Sequence, residues 1–236
     1  MIKEAIILAG GLGTRLKEVI GEDIPKPMAP VNGHPFLEYL LKYLDKWGVN
    51  RVVMATGHRH EVIEDFFGEH YNNMEIVYSV EDEPLGTGGA VKKALTYING
   101  YSCYVLNGDT YFDVNLWKMA NFYQAKEAVA CMVLRKVEEV SRYGTVKIDP
   151  ENRIEEFTEK GEQKGTGFIN GGTYLLNRKA FLDLELPQAF SLEKDYFEQY
   201  HKKLPMYGVR CYSYFLDIGI PEDYEAAADA FEGLLH

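Results

Sequence analysis

Residues 6–30 read IILAGGLGTRLKEVIGEDIPKPMAP. A short apolar run is followed by glycine at 10, 11 and 13, then Arg15, then Lys26 mounted between Pro25 and Pro27. The apolar run predicts a strand buried on both faces, as in a parallel sheet covered by helices. In such a sheet the loop at a strand's carboxyl end lies where ligands bind. Glycines let backbone N–H groups come close to phosphate oxygens. The spacing is not Walker A, because no Gly-Lys-Ser/Thr closes it, and Gly-Gly-x-Gly is not the dinucleotide fingerprint. A tight strand–helix turn would also account for the glycines. Arg15 adds a planar donor fork suited to phosphate. Prolines on both sides of Lys26 stiffen its backbone, a mounting that an ordinary surface lysine does not need.

The pattern repeats outward. Apolar runs at 4–9, 51–56, 75–79, 102–107 and 128–135 alternate with helical patterns. The clearest helix has Phe36, Leu37, Leu40, Leu41 and Leu44 at helical spacing and Gly48 where a C-cap falls. Residues 60–67, 88–98 and 115–126 read as further helices. Strands alternating with helices predict an α/β fold: three layers, with a doubly wound, Rossmann-like mixed sheet. The second half predicts antiparallel additions, with strands at 144–148, 153–157, 167–176 and 206–217. A helix is expected over 191–203 with Ser191 as N-cap, and a last one opening at Pro221. Residues 1–236 read as one domain, with no repeat or linker.

The chain has 236 residues, 46% apolar and 26% charged, and a net charge of −11. That charge disfavours nucleic acid and anionic membranes as partners. A phosphate ligand would need a local cationic cluster, and a divalent cation would help. No run approaches the roughly 18 apolar residues of a membrane span, so a cytoplasmic protein is expected. Cys103, Cys131 and Cys211 form neither a disulfide framework nor a metal spacing and read as buried thiols. Oligomeric state stays open, a homo-oligomer included.

Other stretches could carry chemistry. Glu83-Pro84-Leu85-Gly86-Thr87-Gly88-Gly89 leads into a helix and could present backbone to a nucleobase; a glycine-rich helix start is the plainer account. Leu106-Asn107-Gly108-Asp109 ends a buried strand on a carboxylate placed well for Mg²⁺. Phe215-Leu216-Asp217-Ile218-Gly219 offers a second carboxylate. Phe157-Thr158-Glu159-Lys160, Tyr143-Gly144 and Asn170-Gly171-Gly172 could touch a substrate, glycine inside a strand marking a bulge or a close approach. His58 and His60 read as surface or capping groups, not metal ligands.

Over essentially the whole chain LAGGLGTRL, PKPMAPVNGHP, EPLGTGGA, NGD, FTEKG, NGGTYLL and DIGIPEDY occur in an order that resembles the sugar-1-phosphate nucleotidyltransferase family. EPLGTGG is similar to the EPLGTAG of GDP-mannose pyrophosphorylases, which points to GTP. GTRLKEVI…IPKPMAPVNGHPFLEYLL most resembles the heptose 1-phosphate guanylyltransferase branch. The chain departs from many relatives with Lys17-Glu18-Val19 in place of Pro-Leu-Thr, Phe215 in place of tryptophan and Ile220 in place of threonine.

The resemblance implies the nucleotide-diphospho-sugar transferase fold, Mg²⁺ as cofactor, and nucleoside triphosphate plus sugar 1-phosphate as substrates. It implies that Leu8, Ala9, Gly10, Gly11, Gly13, Thr14 and Arg15 hold the triphosphate and that Glu81, Gly86, Thr87 and Gly88 lie at the base. It further implies that Lys26 binds the reacting phosphates and that Asp109 and Asp217 hold the metal. Gly108, Gly144, Glu159, Lys160, Asn170 and Gly171 would meet the sugar phosphate. The same chemistry with UTP or CTP and a hexose or N-acetylmuramic acid 1-phosphate is the alternative. A silent regulatory subunit is the remote one, against which the presence of Arg15, Lys26, Asp109 and Asp217 argues.

Overall fold

The computed structural model describes residues 1–11, 16, 20–21, 23–141, 144–158, 164–219 and 221–235. Its first strand, β1 (Glu4–Leu8), shows why the molecule has three layers. Ala5 and Ile7 enter one core and Ile6 the other, all fully buried. The next parallel strand, β4 (Arg51–Thr56), repeats this, with Val52 and Met54 on one side and Val53 and Ala55 on the other. Alternation along a strand sends successive side chains to opposite faces, so an unbroken apolar run needs a cover on both.

Helix α1 (Phe36–Lys46) covers the first face with the apolar positions that its sequence spacing singles out. Gly48 follows it at φ +76°, and its N–H reaches the Asp45 carbonyl at 2.9 Å; a left-handed closing residue of this kind is where glycine is cheapest. Helices α2 (His60–Phe67), α4 (Leu116–Ala125) and α6 (Pro221–Ala230) contribute to the same layer. Helix α3 (Gly86–Ala94), the short α5 (Arg178–Leu182) and a π-helical turn at Leu192–Glu198 cover the opposite face. Full burial of a Leu, Ile or Phe side chain contributes about 1.5–3 kcal/mol, so both faces stabilise the sheet between the helical layers.

Among the described residues the main sheet has ten strands. Parallel pairing joins β7 (Ser102–Asn107), β1, β4 and β6 (Met74–Val80) in that order, and β5 (His70–Tyr71) closes the edge antiparallel. The sheet then changes direction. Strand β12 (Gly167–Asn177) runs antiparallel to β7 and also pairs with β9 (Ala130–Val137) and β10 (Thr145–Ile148). Strand β13 (Met206–Cys211) adds parallel to β9, and β11 (Ile154–Thr158) adds antiparallel to β10. The expected mixed sheet with antiparallel additions is therefore present. None of the described helices is long and apolar enough to cross a membrane.

Three details differ from expectation. The run 206–217 is two strands in two sheets: β13 ends at Cys211, and β14 (Phe215–Asp217) pairs with a three-residue strand, β8 (Thr110–Phe112). The exposed residues 212–214 between them lie in neither sheet. The segment after Ser191 winds as a π-helix over Leu192–Glu198, although Ser191 caps it as expected, accepting the Lys194 N–H at 3.2 Å. A small hairpin of β2 (Pro30–Val31) and β3 (His34–Pro35) turns on Asn32 and Gly33, both at positive φ. Cys103 and Cys131 are buried free thiols, while Cys211 is half-buried.

Candidate active site

Four parallel strands end on one side of the sheet, and their following loops enclose a cleft of about 740 Å³. Leu8, Gly10 and Gly11 line it at the end of β1, residues 57–60 after β4, residues 81–84 with Gly86 and Thr87 after β6, and Asn107 and Asp109 at the end of β7. The loops are drawn together by backbone contacts. The N–H of Ala9 bonds the Ala55 carbonyl at 2.8 Å, that of Glu81 the Thr56 carbonyl at 2.8 Å, and that of Gly108 the Leu8 carbonyl at 2.9 Å. A Cβ on Gly108 would stand 2.5 Å from that Leu8 oxygen, so the Asn-Gly-Asp turn passes the first loop only because residue 108 is glycine.

Asp109 and Asp217 lie 108 positions apart in sequence, and the short β8–β14 ladder brings them together. Asp217 is the register partner of Thr110, and the Ile218 N–H bonds the Asp109 carbonyl at 3.0 Å. Lys26 enters from a 3₁₀ turn (Lys26–Met28) whose Pro27 is buried. Its Nζ stands 2.5 Å from Asp109 Oδ2 and 3.9 Å from Asp217 Oδ1. Asp217 Oδ1 also accepts the Gly219 N–H at 2.7 Å. Burial, then the neighbouring Asp109 carboxylate, push the Asp217 carboxyl above the usual aspartate range, against the pull of Gly219 and Lys26. A Cβ on Gly219 would stand 2.5 Å from Lys26 Nζ, so glycine there leaves room for the ammonium.

This cluster suits a small hard cation. Two carboxylates face a common point, and the more buried one carries an electrostatic cost that a dication would relieve. Among the described residues no group of three or more His, Cys, Asp or Glu side chains converges. A pair of carboxylates that leaves the remaining positions to water and substrate phosphates is the Mg²⁺ pattern, not that of a dedicated protein cage.

The stretch of the cleft after β6 is built differently. Glu81 is half-buried, its Oε2 accepts the Leu85 N–H at 2.9 Å, and burial raises its carboxyl. Gly86 and Thr87 line the cleft. Gly88 does not: a Cβ there would stand 2.2 Å from the Phe190 ring, and its N–H bonds the Phe190 carbonyl at 2.9 Å. The glycine at 88 is required by packing of α3 on the 188–190 segment. At 171 and 172 the crowding again comes from the protein. A Cβ on Gly171 would meet the Phe112 ring at 2.6 Å, and one on Gly172, at φ +69°, the Asn107 amide at 2.7 Å. The pairing of β12 with β9 shifts between Asn170 and Tyr174, so these glycines mark a bulge. Gly144 sits half-buried just before β10, a Cβ there standing 3.1 Å from the Thr158 carbonyl.

Gly13, Thr14, Arg15, Tyr143, Glu159 and Lys160 lie outside the described residues. His58 and His60, expected as surface or capping groups, line the cleft together with Arg59. Arg59 has φ +61° and pairs with Asp23 at 2.5 Å, and His60 Nδ1 lies 2.8 Å from Glu64. The signal for this loop was its place after a parallel strand, the same rule that singles out residues 10–15.

A cleft at the carboxyl ends of parallel strands, with a lysine held between two carboxylates, defines a nucleotide-binding α/β transferase. Residues 4–233 match the nucleotidyl transferase family, and the chain belongs to it. It is 45% identical to the D-glycero-alpha-D-manno-heptose 1-phosphate guanylyltransferase of Campylobacter jejuni, over 94% of this chain and 96% of that one. The enzyme of the same description from Aneurinibacillus thermoaerophilus is also 45% identical, over 95% and 96%. Among solved structures, HddC from Yersinia pseudotuberculosis in complex with GMP-PN superposes with a TM-score of 0.84 at 39% identity, over 98% of this chain and 100% of that one. The fold is that of the nucleotide-diphospho-sugar transferases.

Proposed function

We propose that this chain is a cytoplasmic guanylyltransferase. It joins GTP to a sugar 1-phosphate, giving GDP-sugar and pyrophosphate. D-glycero-α-D-manno-heptose 1-phosphate is the acceptor named for both 45% relatives. The observation that carries the reading is the Lys26 ammonium between Asp109 and Asp217, with Lys26 and Asp109 lining the cleft.

An oxygen of the sugar phosphate attacks the α-phosphorus of GTP in line. The P–O bond to the β-phosphate breaks, and pyrophosphate leaves with the electron pair. A phosphate monoester has its second pKa near ~6, so the nucleophile is already anionic at neutral pH and needs no general base. Catalysis is then positioning and charge stabilisation. Lys26 sits between the two phosphates that must approach each other and offsets their repulsion. Gly10 and Gly11 give backbone close to the triphosphate, with Gly13, Thr14 and Arg15 completing that loop by resemblance. Glu81, Gly86 and Thr87 face the base. Asn170 meets the sugar hydroxyls, with Glu159 and Lys160 assigned there by resemblance. Asp109 and Asp217 would hold Mg²⁺, which when bound neutralises charge on the phosphate oxygens.

Four nucleoside triphosphates tested against heptose, mannose, glucose and N-acetylmuramic acid 1-phosphates, with pyrophosphate release as readout, test the assignment. GTP with heptose 1-phosphate should give the highest kcat/KM. A preference for UTP or CTP, or no release with any pair, would refute it.

A further inference from the structure

A chain of hydrogen bonds crosses from the base end of the cleft to the strand assigned to the sugar, through a residue that the reaction scheme does not use. Thr87 Oγ1 donates to Glu193 Oε2 at 2.8 Å and accepts the Leu192 N–H at 2.9 Å. Ser191 Oγ donates to the same Glu193 oxygen at 3.0 Å. Tyr174 Oη donates to Glu193 Oε1 at 3.4 Å, and Asn170 Nδ2 donates to Tyr174 Oη at 2.6 Å.

The directions follow from chemistry. An ionised carboxylate only accepts, so Thr87 and Tyr174 both point their protons at Glu193. Tyr174 has one proton and is fully buried. Its lone pair is what remains for Asn170, which must therefore present its NH₂. Asn170 Oδ1 then faces the Gly172 N–H, which it accepts at 3.0 Å. The carboxamide is held in one of its two orientations, with one N–H and one oxygen lone pair to spare among the described residues. The bulge makes this contact. In a regular strand residues four apart are separated by about 13 Å, yet Asn170 and Tyr174 touch, because the strand's pairing shifts between them and Gly172 takes φ +69°.

We propose that Glu193 is a positioning residue: through Thr87 and Tyr174 it ties the base-binding start of α3 to the orientation of Asn170, and so to acceptor-sugar affinity. This rests on the reading above that Asn170 meets the sugar. With Glu193 changed to glutamine, one of its two oxygens becomes an NH₂ donor, facing either Thr87 and Ser191 or Tyr174 where an acceptor stood. Either Thr87 or Tyr174 must turn, and turning Tyr174 frees the Asn170 amide to flip.

Steady-state kinetics with GTP and the preferred sugar 1-phosphate, alongside Tm, test it in four variants. Asn170→Ala comes first: an unchanged sugar-phosphate KM there overturns the assignment of Asn170 itself and, with it, the proposal. Where that KM rises, Glu193→Gln, Tyr174→Phe and Thr87→Val should each raise the sugar-phosphate KM about fivefold or more. Thr87→Val is the decisive one, since it lies on the base side. Its effect should vanish in the Glu193→Gln background. Variants that lower Tm while leaving the sugar-phosphate KM at the wild-type value, or Thr87 and Glu193 effects that simply multiply, overturn the positioning role. Tyr174→Phe keeps the packing and carries the same test should Glu193→Gln fold poorly.

Discussion

The two halves of the sheet place their functional groups in different ways. From β1 to β7 each parallel strand delivers one loop to the cleft, and position along the chain is enough to say which residues arrive there. From β8 to β14 placement is non-local. Asp217 reaches Asp109 only through a pair of three-residue strands, and Asn170 reaches Tyr174 only through a bulge. Groups of the first kind are supported by the core beneath their strand. Those of the second kind depend on one tight approach each, and glycine is where the approach is made.

Mutation can break this contrast. The largest effect is expected at the junction of the halves. Lys26→Ala should lower kcat about 10²–10³-fold with little change in Tm; a loss confined to the choice between GTP and UTP would sink the role assigned to it. Next comes the bulge. Gly172→Ala forces a Cβ against the Asn107 amide at positive φ and should cost about 1–3 kcal/mol, read as a lowered denaturation midpoint. Gly11→Ala is its counterpart in the parallel half. A Cβ there meets nothing within 4 Å, so Tm should hold, while the GTP KM rises about tenfold if backbone there approaches phosphate. Equal stability losses at 11 and 172 would erase the distinction.

The smallest effect concerns Asp217. Burial and Asp109 raise its carboxyl, so the fold prefers it protonated. That stability is present below the ordinary aspartate range and is lost as pH rises through Asp217's raised value. Asp217→Asn lacks the loss. In metal-free buffer its Tm, measured against the wild type, should gain from acid to neutral pH even as activity falls. A wild type that pulls ahead over that range would contradict the sign.

The alternating apolar runs and the helical spacing of Phe36 to Leu44 were legible in the sequence because each is a local pattern that burial must satisfy. So was the place of residues 10, 11, 26, 107 and 109 at the cleft, since a loop after a buried parallel strand has one place to go. What the sequence could not show is which side of a glycine is crowded. Gly11 opens to the cleft, whereas Gly88 and Gly171 pack on Phe190 and Phe112. Nor do three-residue strands carry enough periodicity to announce the β8–β14 pairing. Glu193, in the first turn of the helix expected over 191–203, carries no local pattern that sets it apart from other helix-start carboxylates. Local chemistry determined the strands, the loops and the charged groups. Tertiary structure alone decided that Asp109, Asp217 and Lys26 share one point and that Glu193 joins the start of α3 to β12, because contacts between distant segments depend on register and close approach, which short-range pattern does not encode.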